Sequence, residues 1–274
     1  MYGASGGAPQ SDSVSVTLTM LVTVTGVLAA FAAILGSSST SAVQIPASWG
    51  TCSRSLEQGA LEQCLRAAMQ RALTDLSRGS AALGTRPLDP LRLQSVRLLQ
   101  GEAGTGPLTL DMTFHDAEVE GLRSAEVQRV RADLARGEIV ADLRAASLQL
   151  RGPYEVRGRI LLIPVNGNGM GIVRMDNATM RLAIHGHVER GNDQNSRLSV
   201  DAVDFDMVPE KTHFKFINEA KATQVEIMSR IVNDNDKAIM EALRPSISAT
   251  FAKEIKDYAT TIFNQVAFDD VFPQ

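Results

Sequence analysis

DNDKAIMEALRPSISATFAKEIKDYATTIFNQV, residues 234–266, places apolar side chains at Ile239, Leu243, Ile247, Phe251, Ile255, Tyr258, Ile262 and Val266. The spacing of four, with a single three, follows one face of an α-helix. At 1.5 Å per residue that helix is roughly 45–50 Å long. Pro245 lies inside it and is expected to kink it or to start a fresh segment. A stripe of that length needs an apolar surface equally long to cover it.

Upstream the period drops to two. Leu108, Leu110, Met112 and Phe114 alternate with Thr109, Asp111 and Thr113, and Leu148 and Leu150 with Gln149 and Arg151. Met180, Leu182 and Ile184 alternate with Arg181 and Ala183, and Val203, Phe205 and Met207 with Asp204 and Asp206. No helix-length segment separates most of these runs, so the sheet is expected to be antiparallel with one apolar face. Turns are expected at Gly101-Glu-Ala-Gly104, Arg151-Gly-Pro153, Asn166-Gly-Asn-Gly169 and Gly191-Asn-Asp193. Before the sheet, Leu61, Leu65, Ala68, Ala72 and Leu76 form a helical stripe that ends at Gly79. The fold expected is α+β. A long C-terminal helix is wrapped by a strongly curved antiparallel sheet, with an N-terminal helix added, and an apolar tube remains where sheet and helix do not pack flush.

Inward positions of this pattern give the expected lining. Leu65 and Met69 come from the first helix, and Ile239, Leu243, Phe251 and Tyr258 from the long one. Phe114, Tyr154, Val156, Leu162, Met180, Leu182, Phe205 and Phe216 come from the strands. Tyr154 shares a strand face with Val156, while Glu155 and Arg157 take the wet face. A phenol turned inward takes a ligand oxygen or a backbone carbonyl as its partner; Tyr258 is the rival polar handle. The ten methionines sit at apolar positions and suit either core packing or a pliable lining.

The chain of 274 residues is 44% hydrophobic and 21% charged, which excludes overall disorder. A net charge of −4 and 5% aromatic residues offer neither a basic field nor stacking platforms for nucleic acid. From residue 13 to residue 53 no side chain is charged. Residues 14–35 are almost wholly apolar, Thr and Gly, and residues 36–42 are small. Residues 1–42 therefore read as a signal peptide, with Met20 as an alternative start. An uncleaved anchor is the competing reading, since twenty-two residues just span a bilayer. Residues 43–274 then form a single domain in an oxidising compartment. Cys52 and Cys64 are expected to pair, two buried free thiols being the alternative. Asn177-Ala-Thr179 is an N-glycosylation sequon.

The order of landmarks resembles the takeout and juvenile-hormone-binding proteins of arthropods. They are Ile45-Pro46 before Cys52, Leu61-Glu-Gln-Cys64-Leu65, and Leu88-Asp-Pro-Leu-Arg-Leu93. Gly152-Pro-Tyr-Glu-Val-Arg-Gly-Arg-Ile-Leu-Leu-Ile-Pro164 follows, with its Gly-rich stretch 166–171. Val232-Asn-Asp-Asn235, Leu243-Arg-Pro245 and Asp270-Val-Phe-Pro273 complete the pattern, which covers residues 43–274. The family commonly has an aromatic after its Asn-x-Asn, where this chain has Asp236. The resemblance implies a tubular lipid-binding fold and a secreted, extracellular carrier of juvenile-hormone-like terpenoids, fatty acids or similar lipids.

No G-x-S-x-G, H-E-x-x-H or G-x-x-x-x-G-K-[ST] occurs in the chain, and no enzymatic activity is expected. Gly167-Asn-Gly-Met-Gly171 reads as a hairpin turn and not as a nucleotide loop. His185-Gly-His187 puts two imidazoles on one strand face without a nameable third metal ligand. No metal and no cofactor are expected. The expected partner is a small apolar ligand, without nucleic acid and without stable membrane insertion after leader cleavage; the sequence names no cell-surface receptor. A lipid-ester hydrolase and an interaction module without cargo are the alternative readings of a different class.

Overall fold

The computed structural model describes residues 43–101, 108–160, 163–191 and 195–274; the leader expected at 1–42 and the lining position Leu162 lie outside them. The first helix, α1 (Gln58–Leu76), is followed by β1 (Leu91–Gln100), β2 (Leu108–Glu120), β3 (Glu126–Asp133) and β4 (Glu138–Ile160). Next come β5 (Ile163–Arg190), β6 (Ser196–Val208) and β7 (Lys211–Ile217). The helices α2 (Ala222–Asp234), α3 (Asp236–Gln265) and the short α4 (Phe268–Val271) end the chain. Strand order is β1-β2-β4-β5-β6, with β3 on β4 and β7 on β5, antiparallel throughout.

Two strands of 23 and 28 residues, β4 and β5, are the spine. Straight, they would run roughly 75–90 Å, so they must bend. Asn177 at φ 49° marks the place where β5 exchanges one neighbour, β7, for the other, β6. Register shifts between Phe114 and Glu118 and between His185 and Gly186 add bulges, which increase local bend and twist. The curved sheet then holds α3 between β6 and β1: Lys256 donates to Asp201 O (2.6 Å), and Leu99 N–H donates to Ser246 Oγ (3.0 Å).

Two expected turns lie inside strands instead. Arg151-Gly-Pro153 is part of β4, opposite the β2 bulge. The ladder is interrupted there, so a proline without an N–H is tolerated in an inner strand. Asn166-Gly-Asn-Gly169 is part of β5. Its glycines let neighbours come close: a Cβ on Gly169 would stand 2.3 Å from Ile217 O. The β4–β5 reversal falls between Ile160 and Ile163, which pair with each other.

The long helix runs unbroken through Pro245, which is exposed, as is Glu241, whose carbonyl lacks the N–H that a non-proline residue at 245 would offer. The break falls at Asn235, and a separate helix, α2, precedes it. That helix lies along the outer edge of β7. Phe214 and Phe216 donate their N–H groups to its Asn233 Oδ1 (2.8 Å) and Ser229 Oγ (3.2 Å), and Thr212 donates to Asp236 Oδ2 (3.1 Å) at the start of α3. Gln70 of α1 treats β3 alike, accepting from Val127 N–H and donating to Ala125 O. Sheet edges that would otherwise pair with another chain are thus closed by helix side chains. Asn233 also donates to Phe214 O (2.8 Å). Asn233→Ala leaves both backbone groups of Phe214 without that partner and is expected to cost about 2–3 kcal/mol, read as a lower urea midpoint at unchanged slope.

Cys52 and Cys64 are joined by a disulfide. Beside it Cys52 N–H donates to Val271 O (3.2 Å) and Arg54 N–H to Pro273 O (2.8 Å), so the start of the domain, α1 and the chain end are tied together. Among the described residues no helix is long and apolar enough to cross a membrane.

Candidate functional site

Between the sheet and α3 lie two apolar chambers in series. The narrow one, about 70 Å³, is bounded by Phe114, Val156 and Phe216 on the sheet and by Ile239, Leu243 and Ile247 on α3. The wide one, about 200 Å³, is bounded by Leu148, Met180, Leu182 and Phe205, by Leu73 of α1, and by Ile255 and Tyr258. It exceeds the ~150 Å³ apolar cavity that stays dry and takes up benzene. Val119, Met175, Met207 and Phe251 belong to both linings and form the waist between them. Methionines and a half-buried phenylalanine are side chains that can repack around irregular shapes.

The narrow chamber is lined by apolar residues alone. In the wide one only Glu254 and Tyr258 bring polar side-chain atoms, where it meets a polar surface groove containing Gln94 and Asp257. Both are committed there: Arg86 pairs with Glu254, and the Tyr258 hydroxyl donates to Arg86 O (3.0 Å). The segment carrying Arg86 is held on its other side by Asp89, whose carboxylate accepts from Arg123 N–H (2.9 Å).

Tyr154 stands at the opposite end. It is 2% exposed, its ring between Phe114 (centroids 6.2 Å) and Phe216 (5.0 Å). It lines a third, open groove between the β4–β5 hairpin and α2, and Val156, Ile160 and Met228 line both that groove and the narrow chamber. Among the described residues its hydroxyl makes no hydrogen bond, and burial raises the phenol's pKa. Burial also raises that of Tyr258, with Thr85 and Arg86 acting against the shift. Of the two candidate handles, Tyr154 is the one whose hydroxyl is not already taken.

The structure brings most expected lining residues together. Phe114, Val156, Phe216, Ile239 and Leu243 line the narrow chamber, Met180, Leu182, Phe205 and Tyr258 the wide one, and Phe251 both. Leu65 and Met69 line neither. The stripe of α1 faces β3, the disulfide and α4, where Leu65 and Met69 pack with Val127, Phe268 and Phe272. The adjacent face of α1 supplies Leu73 instead. Sequence reasoning missed the waist residues Val119, Met175 and Met207 as a group, and the α2 contribution of Met228 and Val232. Met175 and Met207 sit at inward strand positions, the available signal for them.

Other candidates resolve into surface features. His185 bonds Asp204 (3.1 Å) and His187 bonds Asp201 (2.9 Å), each exposed on its own pair. The bond to Asp201 raises the pKa of His187. Among the described residues no three His, Cys, Asp or Glu side chains are grouped to hold a metal. Asn177 is half-buried and donates to Glu210 (3.0 Å).

A helix wrapped by a curved antiparallel sheet leaves between them an interior whose lining is almost wholly apolar. The chain belongs to the haemolymph juvenile hormone binding protein family, whose model matches residues 27–273. Takeout 1 of Epiphyas postvittana, a crystal structure, is similar in fold: TM-score 0.69 at 21% identity, covering 78% of this chain and 96% of that one. A lipopolysaccharide binding protein matches at TM-score 0.30 and 12% identity over 70% of this chain and 37% of its own. Latherin matches at TM-score 0.21 and 14% identity over 59% and 66%. Neither of these two likenesses carries weight. No curated protein sequence matches the chain.

Proposed function

We propose that the protein carries a small hydrophobic molecule of terpenoid, fatty-acid or similar lipid chemistry through extracellular fluid, acting by binding alone. The observation that carries this reading is the pair of joined chambers with an almost wholly apolar lining. The family description, haemolymph juvenile hormone binding protein, supports it. Export belongs to the same proposal: removal of residues 1–42 leaves a chain beginning near Val43, and the Cys52–Cys64 disulfide fits an oxidising compartment.

Binding should be driven by apolar burial. A sesquiterpenoid-sized ligand hides roughly 400 Å² of apolar surface, worth about 10 kcal/mol. Association costs of several kcal/mol leave roughly micromolar affinity or somewhat better. Tyr154 is proposed as the polar handle that selects oxygenated ligands, reached by a chain that threads from the narrow chamber past Val156 and Met228. Tyr154→Phe is expected to weaken an oxygenated ligand roughly fivefold to tenfold, about 1 kcal/mol, and its hydrocarbon analogue hardly at all. Calorimetry on the two ligands checks this, together with a negative heat-capacity change and little dependence on salt. Equal losses for both ligands would reduce Tyr154 to a packing residue, and failure of either ligand to bind the native protein would remove the carrier reading itself.

A further inference from the structure

The groove that ends at Tyr154 is open to solvent, yet its rim carries exposed apolar side chains beside Asn166, Asn168, Gln224 and Lys221. Ile163 and Ile227, 42% and 53% exposed, both line it. Met170 and Ile217, a cross-strand pair 42% and 38% exposed, extend apolar surface over the outer sheet face near the start of α2. Four of the eight exposed large apolar side chains among the described residues therefore gather at this end. A concentration of that kind around a cavity mouth marks a surface that is covered in use.

Charge says what covers it. The protein is acidic overall, at −4. Even so, Lys221 is the one charged residue lining the groove, and the two segments that form it, residues 155–170 and 215–230, carry five basic side chains against three acids, Glu155, Glu219 and Glu226. Lys215 stands two residues before Ile217 on the same exposed strand face. An apolar rim set in locally basic surface is complementary to an interface of hydrocarbon beneath anionic headgroups.

We propose that this end of the molecule docks on the surface of a lipid bilayer bearing anionic headgroups, and that cargo passes between bilayer and interior through the groove between α2 and the β4–β5 hairpin. The proposal rests on the carrier reading and extends it to how the interior is filled and emptied. Water is the barrier for an apolar cargo, and a docked rim removes the aqueous gap it must cross. At its inner end the groove adjoins the narrow chamber, and Val156, Ile160 and Met228, which line both, are the side chains that cargo must pass.

The test follows transfer of an anthroyloxy-labelled fatty acid from the protein to vesicles of phosphatidylcholine, with and without phosphatidylserine, by stopped-flow fluorescence. Docking predicts a rate that rises in proportion to vesicle concentration and is severalfold faster to the anionic vesicles at low salt. The double variant Met170→Asp, Ile217→Asp, at exposed positions outside the groove lining, should transfer about tenfold more slowly while its solution affinity for the probe stays within twofold. Lys221→Glu should remove the preference for anionic vesicles without slowing transfer to neutral ones. A rate independent of vesicle concentration, or unchanged in the double variant, would overturn the proposal and leave the rim to a protein acceptor. Equal rates to both vesicle types would overturn the anionic surface as its partner. Absence of probe binding in vesicle-free solution would overturn the carrier reading instead, so the two failures are distinguishable.

Discussion

Ala125→Phe is expected to abolish ligand binding while leaving the protein at least as stable as the native chain. Ala125 is 2% exposed and lines the wide chamber, so a ring grown from its Cβ occupies the space proposed for ligand. The chamber of about 200 Å³ accepts a phenyl group, and no polar atom is buried by the change. Filling an existing cavity recovers contacts that the empty lining lacks, so the unfolding midpoint should hold or rise. The ligand loses its main burial surface, and affinity should fall at least a hundredfold, about 2.7 kcal/mol. Titration calorimetry with a thermal unfolding scan reads both quantities. Lost binding with lost stability would mean only that the variant is damaged; retained binding would mean that the ligand lies elsewhere.

Gly171→Val and Gly167→Val, four residues apart on one strand, should change stability in different ways. A Cβ on Gly171 would stand 2.7 Å from Phe114 Cε1 and 3.2 Å from Tyr154 Cδ1. Both rings are essentially fully buried, at 0% and 2% exposure, and cannot swing aside. Overpacking of this kind should cost about 3 kcal/mol and displace the Tyr154 phenol from the groove. Around Gly167 nothing lies within 4 Å of the same added atom, and its backbone is ordinary strand. Valine there should be neutral or stabilise by about 0.5–1 kcal/mol, because glycine loses more chain freedom on folding. Urea unfolding of the two variants checks the contrast. Equal costs would contradict the close approach of the aromatic rings to Gly171.

The architecture was legible where one period persists over a continuous buried surface. The stripe read at residues 234–266 corresponds to α3, Asp236–Gln265, since a helix packed along its whole length must keep one face apolar. The antiparallel sheet followed from alternation for the same reason. Illegibility began where a residue type serves a purpose other than its commonest one. Gly152, Pro153, Gly169 and Gly171 carry the usual signature of turns, yet they stand in strands, because the interrupted ladder tolerates a proline and close backbone and ring neighbours leave no room for a Cβ at Gly169 and Gly171. The α2 helix was legible in principle, since Val225, Met228 and Val232 keep helical spacing; the stripe is short, and Ser229 and Asn233 beside it satisfy a strand edge. Period two turned Tyr154 inward, but only its neighbours decide whether its hydroxyl is taken. The same holds for Tyr258, whose partner Arg86 is 172 residues away in sequence. For Leu65 and Met69 the helical stripe was real, and its partner was β3 with α4 in place of the chambers.

Native mass spectrometry of the protein isolated from its own tissue tests the central claim most directly. A carrier with joined apolar chambers should leave its source with part of the population bearing an adduct of a few hundred daltons, released on denaturation. The Ala125→Phe variant expressed in the same tissue should carry none. A native protein that shows only the mass of its own chain, and takes up no apolar ligand when one is supplied, would contradict the account.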